Sequence, residues 1–302
     1  MGKWLSCCKN IDLRSSDAMN GLISSITLFI LTFSSVSWAL HLRLPDRAYQ
    51  GDLIVGKVEP KGTVFLKGKE QPVSDRGYFI IGVPRIQKTD LLISAIIGKN
   101  KVSKIVRILA YKWKIQRIDG LPKRLVNPPP EALIRIKNDN QMVRKIRQSA
   151  IHPAPLFLKD GFIPPLEGTI TGVYGSQRIL NGQPRSPHRG VDFVAAKGTP
   201  VVSPANGIVR LVAKDMYLMG NTLMIDHGLG LMSIFIHLDS ISAGQGDRVQ
   251  QGEIVARVGQ TGRATGPHLH WGISVGSISI DPVRLLSKEN LIPHPDPREA
   301  EN

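Results

Sequence analysis

Cysteine is almost absent from this chain of 302 residues: the two it has, Cys7 and Cys8, are adjacent and stand before the first apolar stretch. A lipidated cysteine must follow such a stretch at the cleavage point, so a lipoprotein is excluded. The rest of the chain has no thiol, which removes disulfide staples, thiolate nucleophiles and sulfur metal ligands from consideration. Aromatic residues are also sparse, at 6%. No recognisable nucleic-acid-binding signature accompanies the positive charge, so nucleic acid is not expected as a partner.

What is present describes a globular chain. Hydrophobic residues make up 42% and charged residues 21%, which argues against extended disorder. The length exceeds what one ordinary core requires, so two compact domains and a linker are expected. Gly 29 and Pro 21 suit short strands and many turns.

Lys3, Lys9 and Arg14 give a basic start, residues 22–33 (LISSITLFILTF) are apolar, and Ser37-Trp38-Ala39 has the spacing of a secretory cleavage site. Residues 1–39 therefore read as a signal peptide or, alternatively, a membrane anchor, with Met19 a second candidate start. Export to the periplasm or cell envelope follows, with anchoring to the inner membrane as the variant. The formal net charge is +15, and the residues before Ala39 hold three cations against two carboxylates, so nearly all of it lies in the exported part. Such a charge draws a protein toward anionic lipids and wall polymers.

Segments 52–58, 63–68, 77–83, 91–97 and 104–110 read as strands divided by turn formers such as Asp75-Arg76-Gly77 and Gly98-Lys99-Asn100. Residues 43–113 are therefore expected to form a small β-sandwich-like domain. Residues 114–160 form a linker: the run Pro128-Pro129-Pro130 favours extended chain, and Leu133, Ile136, Val143 and Ile146 then recur at near-helical spacing. From 161 to 287, strand-like segments separated by glycines predict an antiparallel, β-rich domain, followed by a polar tail over 288–302. The fold class is mainly β.

Histidine is scarce, eight in all, yet five fall between 188 and 270. In HLHW, His268 and His270 are two apart, so on a strand they project from one face. In PHRGVDF, His188 precedes Asp192 by four, with Gly190 between them to let the backbone bend. Imidazole and carboxylate both bind zinc, and two His plus one Asp with an open fourth position is the ligand count of a catalytic site. His237 is either a third imidazole for acid–base work or a core histidine bonded to the backbone.

PHRGVDF, the downstream IHL and GRATGPHLHW resemble, in order and spacing, the three motifs of the lysostaphin-type (LytM-like) zinc metalloendopeptidases. The resemblance covers roughly residues 161–286. It implies one Zn2+ per chain held by His188, Asp192 and His270, with His237 and His268 positioning or deprotonating the attacking water. The implied substrate is peptidoglycan, its stems or cross-links, with a D,D cross-link favoured. His227 matches no ligand position and is kept as structural. Tyr174, Arg178 and Asn181, before the first ligand, are expected to be groove wall or surface, with substrate contact as the alternative. More loosely, the N-terminal part, a small β domain followed by QRIDGLPKRLVNPPPE (116–131), resembles an arrangement of bacterial envelope proteins of this class, which implies a module that places the peptidase or covers its groove; an envelope regulatory protein is a further candidate partner. The competing expectation is a non-catalytic relative that activates a wall amidase; those lack some of the five positions, and this chain has all five.

Overall fold

A computed structural model describes residues 39–149 and 151–293. The expected leader, up to residue 38, and the tail from 294 lie outside the described residues. Among the described residues no helix is long and apolar enough to cross a membrane.

The N-terminal part is two sheets face to face. One orders His41–Arg43, Leu53–Glu59 and Tyr78–Gly82; the other orders Arg47–Tyr49, Asn100–Leu109, Leu91–Ile97, Thr63–Leu66 and Lys69–Gln71. Alternation decides the packing: Ile54, Val58, Phe79 and Ile81 from the first sheet meet Val64, Ile93, Ala95 and Val106 from the second. The run Leu53–Val55 is apolar at every position because the smaller sheet is covered twice. Its other face sends Leu53, Val55 and Ile80 into the C-terminal core.

The C-terminal part is built on a ten-stranded sheet in which every pair is antiparallel. Its main path runs Thr169–Gly172, Val191–Val194, His268–Val275, Leu231–Ile241, Gly220–Asp226, Gly207–Met216 and Arg248–Val249. Trp271, Phe235, Leu223 and Ile225 are fully buried in its core.

Three segments differ from the sequence expectation. Ile115–Ile118, expected as linker, is a strand that pairs in parallel with Gln177–Leu180. It gains the backbone hydrogen bonds of that edge, and Ile118, Leu121, Val126 and Leu180 close a small apolar cluster behind it. The helix Pro130–Ser149 forms, but Leu133 points outward at 53% exposure; the inward side is carried by Ala132, Val143 and Ile146. Finally, the tail expected from 288 starts later, because Lys288–Leu291 makes a 3-10 turn that buries Leu291.

Candidate active site

Asp192 lies at the centre of the strand Val191–Val194, directly opposite His270 on the neighbouring strand; His268 lies opposite Val194. Because side chains alternate, Val191, Phe193, Leu269 and Trp271 enter the core while Asp192, His268 and His270 share the other face. The sequence reading of HLHW as two imidazoles on one face therefore corresponds to the register of the sheet.

His188 approaches from the preceding turn. Its backbone is fixed twice, by its N–H to Ser176 O and by Gly175 N–H to its carbonyl, both at 2.9 Å. Two glycines make room: a Cβ on Gly190 would lie 2.3 Å from Trp271 O, and one on Gly172 would lie 2.3 Å from Asp192 Oδ2. Neither distance is compatible with a side chain.

The result is a triangle of donor atoms. His188 Nε2 and His270 Nδ1 are 2.8 Å apart, and Asp192 Oδ1 is 3.0 Å from the first and 2.8 Å from the second. The three side chains form a group that could hold a metal ion, buried or nearly so. Tetrahedral coordination with bonds of about 2.0–2.2 Å sets donors about 3.3–3.6 Å apart, so each atom needs to move outward by only tenths of an ångström. His188 is held in the required tautomer because its Nδ1–H donates to Val173 O at 3.1 Å, leaving the Nε2 lone pair for the site.

Electrostatics agree with a cation between these groups. Burial lowers the His188 pKa to about 4, outweighing the favourable Asp192 contact, so the ring is a neutral ligand at pH 7. Burial by itself would raise Asp192, but its contacts with the His188 and His270 rings outweigh it and keep the carboxylate ionised far below its usual range. Arg178 adds a further hydrogen bond, Nη2 to Asp192 Oδ2 at 2.5 Å.

His237 and His268 stand together beside the triad, ring centroids 4.7 Å apart. Each donates Nδ1–H to a backbone carbonyl, His237 to Thr261 at 2.7 Å and His268 to Gly266 at 2.9 Å, so both keep Nε2 as a proton acceptor. His237 has φ 64, the left-handed region that a non-glycine residue adopts only when its surroundings hold it there. Burial lowers its pKa to about 3, with the His268 ring contributing in the same direction.

Two of the three residues expected at the groove wall or in substrate contact are engaged elsewhere. Tyr174 is buried, donates its hydroxyl to Ser279 O at 2.6 Å and packs edge-on against Trp113. Asn181, at φ 46, exchanges hydrogen bonds with the backbone of Leu121, accepting its N–H and donating to its carbonyl. Arg178 lies at the groove, bonded to Asp192 and to Gln116. His227 is fully buried behind the sheet, its ring between Asn206 O and Ser233 Oγ, and the same hydroxyl accepts the Trp271 indole N–H. Sequence reasoning missed the contribution of the long helix: Ile136, Asp139, Asn140, Val143 and Arg147, at helical spacing, form one wall of the groove.

Residues 186–282, which contain all five site residues, match the description "Peptidase family M23". They form a peptidase family M23 domain. Relatives of this M23 domain include an uncharacterized metalloprotease of Haemophilus influenzae, 38% identical over 99 residues, which cover 33% of this chain and 21% of that protein. Another is the peptidoglycan DD-endopeptidase ShyB of Vibrio cholerae, 33% identical over 145 residues, covering 48% of this chain and 31% of the relative. The chain thus spans between about a fifth and a third of the length of these curated relatives. A crystal structure from Pseudomonas aeruginosa, described as a candidate M23 peptidase, superimposes with a TM-score of 0.62 at 26% identity, covering 80% of this chain and 95% of the other. Coverage of that extent reaches well beyond the M23 domain. The Haemophilus relative carries the name of a metalloprotease, and among the described residues His188, Asp192 and His270 are a group that could hold a metal ion.

Proposed function

We propose that this chain is an exported zinc metalloendopeptidase that hydrolyses peptide cross-links of peptidoglycan, with a D,D cross-link as its bond. The observation that carries the reading is the triangle of His188 Nε2, Asp192 Oδ1 and His270 Nδ1 next to two imidazoles with free Nε2 atoms. Two neutral nitrogens and one carboxylate oxygen, without sulfur, are the donor set of catalytic zinc. Zinc bound there supplies Lewis acidity toward a carbonyl and acidifies a water at neutral pH.

The chain's own residues do the rest. Asp192, bonded through Oδ2 to Arg178, keeps its Oδ1 aimed at the two ligand imidazoles. His237 and His268, fixed through Nδ1, receive a proton on Nε2 and return it to the leaving amine. No covalent intermediate is required.

The substrate class is supported by ShyB, named a peptidoglycan DD-endopeptidase. The basic charge favours contact with anionic envelope polymers or lipids. Periplasmic or envelope location, with or without an inner-membrane anchor, is supported by the apolar segment 22–33. The alternative, a catalytically inert activator of a wall amidase, is disfavoured by the complete set of five site residues.

Release of soluble fragments from purified peptidoglycan, with zinc measured on the same sample and His270→Ala as control, tests the reading. One zinc per chain with cleavage that the variant lacks is expected, and fragment masses name the bond. Zinc without cleavage would instead support the activator.

A further inference from the structure

A cleft of about 440 Å3 lies between the long helix and the strands that bear the histidines. Five guanidinium groups line it: Arg147 from the helix, Arg178 and Arg185 from the segment around Gln177–Leu180, Arg189 beside His188, and Arg263 from the turn after Ile254–Val258. Among the described residues its lining holds one carboxylate, Asp139, which already accepts the backbone N–H of Tyr217.

Arg178 is engaged by Asp192 and Gln116, whereas Arg185 Nη2 donates to three neutral oxygens, those of Val126, Asn127 and Gln183. Arg147 Nε is closed off from solvent and makes no hydrogen bond. Burial, with the charge of Arg189, pulls the Arg147 pKa down to about 10; burial lowers Arg263 as well, and Arg178 and Arg185 add to it. A shielded donor without an acceptor is costly, and like charges around a partly desolvated cleft focus a field that an incoming anion relieves. The cleft ends on His188, His237 and His270, so the anion would sit next to the reacting bond.

We propose that this cleft is a subsite for a free carboxylate of the substrate peptide, with Arg147 and Arg263 as specificity-determining residues. The inference rests on the peptidase reading of the same site. It makes the enzyme selective for stem peptides with free carboxylates beside the cross-link, against neutral bridges such as oligoglycine. It also gives the helix Pro130–Ser149 a part in reading substrate, through one arginine in its last turn.

The test is calorimetric binding of two uncleavable stem-type peptides to the zinc-loaded full chain, identical except that one carries carboxylates and the other carboxamides. The carboxylate peptide should bind about tenfold tighter or more, as charge-assisted hydrogen bonds allow. The preference should shrink as salt is raised. It should collapse in Arg147→Gln and in Arg263→Gln and survive in part in Arg147→Lys. Equal affinity of the two peptides for the unmodified protein would overturn the proposal without reference to any variant, as would inorganic phosphate binding as tightly as the carboxylate peptide. Carboxylate preference in a protein that cuts neither cleavable analogue would sink the peptidase reading and leave the subsite standing.

Discussion

The Asp192 carboxylate is shared between Arg178 and the candidate metal ligands: Arg178 Nη2 holds its Oδ2 at 2.5 Å while its Oδ1 turns to His188 and His270. Arg178 therefore positions a ligand it does not itself replace. Arg178→Gln should weaken metal binding by roughly 10–100-fold, the usual effect of removing a group that orients a ligand. Competition against a chelator of known affinity measures it. An unchanged affinity would mean that the sheet register alone positions Asp192.

Ligand and proton-transfer roles separate by what is lost. His188→Ala and His270→Ala should lose both metal and hydrolysis. His237→Ala and His268→Ala should keep metal near one ion per chain and lose about 10²–10⁴-fold in turnover, the range for removing a general acid or base. Metal analysis beside a rate assay distinguishes the pairs, and full activity in any of the four would remove that residue from its role.

The glycine at 172 is a steric requirement of the site. A Cβ there would lie 2.3 Å from Asp192 Oδ2 and 3.0 Å from His188 Cε1. Gly172→Ala should displace the carboxylate and lose metal while the rest of the sheet forms. Circular dichroism close to the parent's, with metal absent, is the expected pair of results.

His227 couples the stability of the fold to pH. Burial lowers its pKa to about 4, against about 6.5 for an unperturbed imidazole. The unfolded chain then binds a proton that the folded chain excludes as pH falls below about 6.5, so the stabilisation present at neutral pH is lost progressively down to about pH 4. At most a few kcal/mol rides on this one ring, taking about 1.4 kcal/mol per pKa unit. Denaturant titrations at several pH values should show a shallower decline in His227→Gln than in the parent, from a lower starting stability, since Ser233 and Asn206 lose their partner.

The chemistry was more legible in the sequence than the architecture around it. HLHW carries its geometry in its period, because residues two apart on a strand share a face, and Asp192 opposite His270 completes it. Tyr174 and Asn181 were not legible as structural residues, since only the fold brings Ser279 and Leu121 to them, 105 and 60 positions away. Ile115–Ile118 was missed because a four-residue strand pairing in parallel with a segment some sixty positions on has no local signature. The helix was found by its period but its outward Leu133 and cleft-facing Arg147 were not, because spacing fixes a stripe and packing decides which stripe is buried.

Arg85 and Trp113, from segments that leave the N-terminal sheets, touch the turn that delivers His188. The ring of Trp113 covers Gly175, where a Cβ would lie 2.1 Å from it, and Arg85 Nε donates to Gly175 O at 2.7 Å. That turn supplies Val173 O, which fixes the His188 tautomer, and Ser176 O, which holds its backbone. Trp113→Ala should therefore weaken metal binding several-fold as well as lower the melting temperature. Tyr174→Phe, which removes only the hydroxyl bonded to Ser279, should cost about 1 kcal/mol of stability and leave metal affinity unchanged. Thermal melts with and without metal, read against chelator titrations for both variants, separate the two effects. If Trp113→Ala lowers stability and leaves metal affinity where it was, the N-terminal sheets support the fold and not the site.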